Sequence, residues 1–146
     1  MSEEFVGTIP GNFDAKKGRI SVPAAFRTVL GRMGADEIIL RRSRHLPCIE
    51  VWPKPDYMAE VSARVAGLSK LSAEYQAIMR KLVGKIHTLH PDAEGRVVMP
   101  KELSEAGQFE GDLQFAGRGA YFEIWSAARH AEEEARLDAE DEGGDV

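Results

Sequence analysis

The chain has 146 residues, 43% of them hydrophobic and 29% charged, which are ordinary proportions for a globular protein with length for one shared core. No apolar run approaches the roughly 20 residues of a membrane helix, and the acidic opening MSEEFVGTIPG lacks the apolar stretch of a secretory signal. The single cysteine, Cys48, excludes an internal disulfide and fits a reducing, cytoplasmic setting, while the net charge of −5 argues at first sight against a nucleic-acid partner.

In chain order, FVGTIPGNF (5–13) predicts a strand, DAKKG (14–18) a polar turn and RISV (19–22) a short strand. Proline 23 then opens a helix over PAAFRTVLGRM, since its missing N–H suits the first helical turn, and Gly31 falls where a C-cap is expected. The β-branched runs EIILRR (37–42) and CIEVW (48–52) predict a hairpin, followed by a helix from PKPDYMAEV (53–61). LSAEYQAIMRKLVGK (71–85) is an amphipathic helix with Tyr75, Ile78, Met79 and Leu82 on one face and Ser72 as its cap.

The same order then returns: strand KIHTLH (85–90), turn DAEG (92–95), strand RVVM (96–99), and a helix from Pro100 with Gly107 at its C-cap. The hairpin DLQFAG with YFEIW and a helix from SAARHAEEE complete it. Gly18-Arg19-Ile20-Ser21-Val22-Pro23 aligns with Gly95-Arg96-Val97-Val98-Met99-Pro100, and CIEVW with YFEIW, so two internal repeats are expected. Neither half has apolar surface for a good core, and packing both into one pseudo-symmetric barrel would also remove unpaired edges. The final residues, 131–146, hold eight acids and one arginine, as expected of a solvated or disordered tail. Without them, residues 1–130 carry 16 acids against 18 lysines and arginines, a balance of +2, which keeps nucleic acid open as a partner.

Turn chemistry accounts for Asp14, Gly18, Asp92 and Gly95: the aspartates accept backbone N–H groups and the glycines supply positive φ. Two roles stay open for Arg19 and Arg96. Each could pair with its turn aspartate, or present a five-donor fork to a phosphate or a guanine edge.

DAKKGRISVPAAFR and DAEGRVVMP, with FEIW and the intervening helices, resemble the MraZ family of bacterial transcriptional regulators with two SpoVT/AbrB-type domains, over residues 5–130. The resemblance implies an α+β fold, mainly a β-barrel with helices: a pseudo-twofold AbrB-like, double-split, swapped-hairpin barrel built from repeats at 5–53 and 86–130. Helices at 54–85 would join them, with the acidic tail at 131–146. It further implies a nucleoid-associated DNA-binding regulator of the division and cell-wall gene cluster, usually a repressor. Such a protein binds direct repeats in double-stranded DNA upstream of its own gene, as a ring homo-oligomer, an octamer or larger. Arg19 and Arg96 would face DNA, with Lys16 or Lys17 beside Arg19, and Asp14 and Asp92 would brace the turns. The first motif departs from the usual D-x-K-G-R by one extra lysine, and the second has Glu94 where the first has lysine, which weakens phosphate contact.

Competing chemistry is thin. His45-x-x-Cys48 and His87-x-x-His90 have zinc-like gaps, but residues three apart on a strand point to opposite faces, so no metal or other cofactor is expected. No nucleophile elbow, P-loop or dinucleotide fingerprint occurs, and an enzyme is not expected. Cys48 reads as a small buried hydrophobe, Trp52 and Trp125 as packing residues, and Arg27, Arg41, Arg42 and Arg44 as solvated charges. The alternative functions are an antitoxin-type protein-binding module, its arm starting after Trp125, or an oligomeric scaffold that does not bind DNA.

Overall fold

Alternating apolar residues and punctuating prolines translate into short elements. The computed structural model describes residues 4–143. Their order is β1 (Thr8–Phe13), β2 (Arg19–Ser21), α1 (Ala24–Arg32), β3 (Ile38–Arg42), β4 (Ile49–Pro53), α2 (Lys54–Val65), α3 (Ala73–Leu82), β5 (His87–Leu89), β6 (Arg96–Val98), α4 (Lys101–Ala106), β7 (Gly111–Gly117), β8 (Phe122–Ser126) and α5 (Ala127–Gly143).

Six strands form one antiparallel sheet in the order β1-β7-β8-β4-β3-β5, and β2 pairs with β6 in a separate two-stranded ribbon. Exchanging the first four strands for the last four leaves that order unchanged. The expected closed barrel is corrected here: β1 and β5 are the sheet's edges and do not pair with each other. The cause is local. After each edge strand the chain turns away into the ribbon, which closes over the core by packing rather than by a continuous ladder.

One face of the sheet meets the inner face of the ribbon. Ile20 and Val97, opposite each other in the ribbon, join Leu40, Val51, Leu113, Phe115 and Phe122 in the main core. Phe5, Phe26 and Phe122 form an aromatic knot there, with centroids 5.4, 5.1 and 4.8 Å apart. The other face carries Ile39 under Tyr57, Val61, Met79 and Leu82 of the α2–α3 pair. The Tyr57 hydroxyl donates to the Leu82 carbonyl at 2.6 Å, satisfying an end group of α3.

Both E-x-W motifs make the same bond. The Trp52 indole donates to Glu50 at 2.9 Å and the Trp125 indole to Glu123 at 3.0 Å. Glu50 and Glu123 sit directly opposite across β4 and β8, an arrangement that repels unless compensated. Arg41 approaches Glu50 at 3.5 Å and Arg118 approaches Glu123 at 3.0 Å. Trp125 is fully buried, whereas Trp52 is half-buried and stacks on Tyr121 at 4.5 Å.

Helix ends depart from expectation in two respects. Pro23, Pro53 and Pro100 occupy N-caps rather than the first turn, with ψ of 145°, 132° and 133°. Extended there, the Pro23 carbonyl accepts the N–H groups of Phe26 and Arg27, both at 2.9 Å. Gly31 lies inside α1, and the left-handed position falls to Gly34 (φ 66°). Gly107 does cap α4, with Gln108 left-handed beyond it. Ser72 caps α3 as expected, accepting from the Tyr75 N–H at 3.1 Å.

The acidic run is helical rather than a loose tail as far as Gly143, and residues 144–146 lie outside the described residues. Pairs between Arg129 and Glu132 and between Arg136 and Glu140, three and four residues apart, support the helix. Arg118→Met should lower the unfolding free energy by about 2 kcal/mol, because it leaves the buried Glu123 carboxylate facing Glu50 without its cation; urea unfolding measures this.

Candidate nucleic-acid interface

The ribbon is three residue pairs long: Arg19 opposite Val98, Ile20 opposite Val97, Ser21 opposite Arg96. Strand alternation turns Ile20 and Val97 into the core, so Arg19, Ser21, Arg96 and Val98 share the outer face. Each end is tied to the loop of the other half. The Val22 N–H donates to the Gly95 carbonyl at 2.8 Å, and the Met99 N–H to the Gly18 carbonyl at 2.7 Å.

In the first loop, the Asp14 carboxylate accepts the N–H groups of Lys16 (3.1 Å) and Lys17 (3.2 Å). Backbone bonds between Asp14 and Arg19, at 2.9 and 3.1 Å, close its base. Four residues span the turn, and the extra lysine is taken up without opening it. Lys16 and Lys17 are exposed and Arg19 half-exposed. Among the described residues, none of these three side chains has a hydrogen-bond or ion-pair partner. Three cations thus ride on a turn whose single carboxylate is turned inward to backbone donors.

The second loop has one residue fewer and a different charge state. Asp92 accepts the N–H groups of Glu94 (3.0 Å) and Arg96 (2.9 Å), while its other oxygen receives the Arg96 Nε–H at 2.7 Å. A further Arg96 nitrogen pairs with Glu94. The Arg96 fork is therefore spent on its own loop, whereas that of Arg19 is not. These bonds, the Arg96 backbone N–H foremost, hold the Asp92 carboxyl below the usual carboxylate range.

Arg27, read from the sequence as a solvated charge, is half-buried instead. Its side chain crosses the second loop so closely that a Cβ on Gly95 would lie 2.3 Å from Arg27 Cδ. Its Nε is buried without a hydrogen-bond partner among the described residues. The only linear signal is its place three residues before Leu30, on the flank of the buried Phe26–Leu30 stripe of α1.

The remaining candidates have structural surroundings. Cys48 is buried and its thiol pushed far up by desolvation, which makes it an inert hydrophobe rather than a nucleophile. His87 pairs with Glu102. No helix among the described residues is long and apolar enough to cross a membrane.

Gly18→Ala, with φ 63° but open space around it, should cost about 1 kcal/mol of stability. Gly95→Ala should cost more, about 2 kcal/mol, because the methyl meets the Arg27 stem as well as unfavourable φ; thermal unfolding ranks the two. In an NMR pH titration the Asp92 carboxyl should titrate below the usual carboxylate range. Because its folded-state value is depressed, the stability it lends is present above the ordinary carboxylate range and is lost as pH falls through the folded value; Asp92→Asn should flatten the acid limb.

No family model matches the chain. Individual proteins do. The transcriptional regulator MraZ of Gluconacetobacter diazotrophicus is 36% identical over 137 residues, covering 90% of this chain and 85% of that protein. The MraZ proteins of Gluconobacter oxydans (32% identity, 88% of this chain and 79% of that protein) and Bacteroides thetaiotaomicron (30%, 86% and 80%) match over nearly the same span. With identity of 30–36% across 86–90% of its length, the chain belongs to the MraZ family of transcriptional regulators.

Proposed function

We propose that this chain is a sequence-specific regulator that binds double-stranded DNA through the first loop and the outer face of the ribbon. The observation that carries this reading is the set of unpaired cations, Lys16, Lys17 and Arg19, on a turn braced by Asp14. A two-stranded ribbon is an element that the major groove of B-DNA admits. Arg19 supplies a fork for a phosphate or a guanine edge, and the lysines supply point charges for phosphates. Arg96, held by Asp92 and Glu94, contributes mainly by shaping the second loop, and reaches DNA only by giving up those pairs.

One chain offers too few cations for tight binding at cellular salt. We therefore read the active species as a ring-shaped homo-oligomer on direct repeats upstream of its own gene, where effective concentration supplies the affinity. Repression of the division and cell-wall gene cluster, a nucleoid-associated location and descent of both halves from one duplicated unit belong to the same proposal. Its names among relatives are those of regulators, and no enzymatic role is proposed.

Fluorescence anisotropy on the DNA upstream of the gene, over a salt series, tests this. Arg19→Ala should weaken binding at least about tenfold and lower the salt slope by about one, while Arg96→Ala should cost less affinity and more stability. Undiminished binding by Arg19→Ala would remove that side chain from the proposed interface. Absence of binding by a folded wild-type protein would sink the DNA-binding reading.

A further inference from the structure

A cleft of about 710 Å³ opens between the end of β3, the end of α3 and the start of α4. Arg42, Arg44, Lys81 and Lys85 line it, and among the described residues none of the four has an ion-pair partner. Leu82 and Ile86 provide an apolar floor, and Glu102, occupied by His87, is the one carboxylate in the wall. This is a cationic rim around an apolar strip. It suits an anionic ligand with an apolar side, rather than bare phosphate.

Such a partner exists on the same chain. α5 packs on β7 and β8 near its start, but from Glu134 to Asp141 every residue is exposed. Leu137, itself exposed, is flanked at three and four residues by Glu133, Glu134, Glu140 and Asp141; Arg136 takes Glu133 and Glu140, and Glu134 lies 3.6 Å from His130, yet residues 132–141 still hold six acids against one arginine. Those spacings place all five on one helical face. A single apolar residue inside a frame of carboxylates complements an apolar strip inside a frame of cations. Helix-in-groove docking joins surfaces of this kind.

We infer that the free half of α5 docks into the Arg42–Lys81–Lys85 cleft of a second copy of the chain. This inference rests on the self-assembly reading above and names the surfaces that would carry it. The two surfaces differ, so the contact is heterologous and every copy offers one of each. Repetition gives a ring where the rotation closes and an open filament where it does not. Contact between such charged surfaces weakens as salt screens it. The acidic helix would also cover a basic surface that otherwise attracts DNA without sequence preference.

Sedimentation equilibrium of the full chain tests the inference, with Arg42→Glu/Lys81→Glu as the cleft variant and Glu134→Lys/Asp141→Lys as the helix variant. All four positions are exposed, and circular dichroism verifies that each variant is folded. Each variant alone should raise the dissociation constant at least about tenfold, and the chain carrying all four changes should recover association. Assembly unchanged in either variant would overturn the docking while leaving self-assembly standing, as would loss in both without recovery in the fourfold chain. Intact assembly with weakened DNA binding in the cleft variant would overturn it in favour of a phosphate-contacting cleft. A wild-type chain that stays monomeric at about 0.1 M salt would overturn both docking and self-assembly, with Arg19-dependent DNA binding still to be read separately by anisotropy.

Discussion

Two backbone hydrogen bonds, from the Val22 N–H to the Gly95 carbonyl and from the Met99 N–H to the Gly18 carbonyl, tie the loop of each half to the strand of the other. Each is worth only about 1 kcal/mol net. They act together with the burial of Ile20 against Val97, and that combination fixes the ribbon as one rigid unit. Everything proposed for the interface depends on it. A flexible loop bearing Arg19 would lose side-chain and backbone freedom on meeting DNA, whereas a loop clamped at both ends has already lost most of it during folding.

The clamp also explains why two similar loops end with different electrostatics. Both aspartates accept backbone N–H groups, so both are committed to turn geometry. With four residues in the first turn, Arg19 closes it through its backbone and its side chain stays out of reach of Asp14. With three in the second, Arg96 lies beside the Asp92 carboxylate, and Glu94 completes the cage. One residue of loop length thus separates two similar loops into an outward-facing one and a self-satisfied one.

Much of this was legible in the linear chain. Proline before α1, α2 and α4, glycine in the two motif loops and Ser72 before α3 mark local geometry, and local rules suffice to place them. The paired E-x-W runs announced equivalent strands, and the indole–carboxylate bond within each is the reason for the spacing. What stayed hidden is tertiary. No periodicity says that β1 will seek β7 and β3 will seek β5, or that the sheet will stay open at β1 and β5. Nor does a sequence show that the stem of Arg27 crosses Gly95, which is 68 positions away in the chain. The difference between Arg19 and Arg96 was legible in part: Glu94 marked the second loop as the weaker one toward phosphate, but which arginine reaches its turn aspartate depends on loop geometry that the sequence does not show.

The crossed pairing of β1 with β7 and of β2 with β6 has a consequence for how the protein is made. In the first half only the β3–β4 hairpin finds its partner nearby. As the chain leaves the ribosome at about 5–20 residues per second, β1 waits on the order of 5–20 s for β7 to emerge. Throughout that interval Ile9 and Phe13 lack the β7 strand they pair with, and Phe5 has Phe26 but not Phe122 to pack on. The nascent half is therefore a natural client for a chaperone that holds short aromatic segments, and the finished architecture sets how long it must be held.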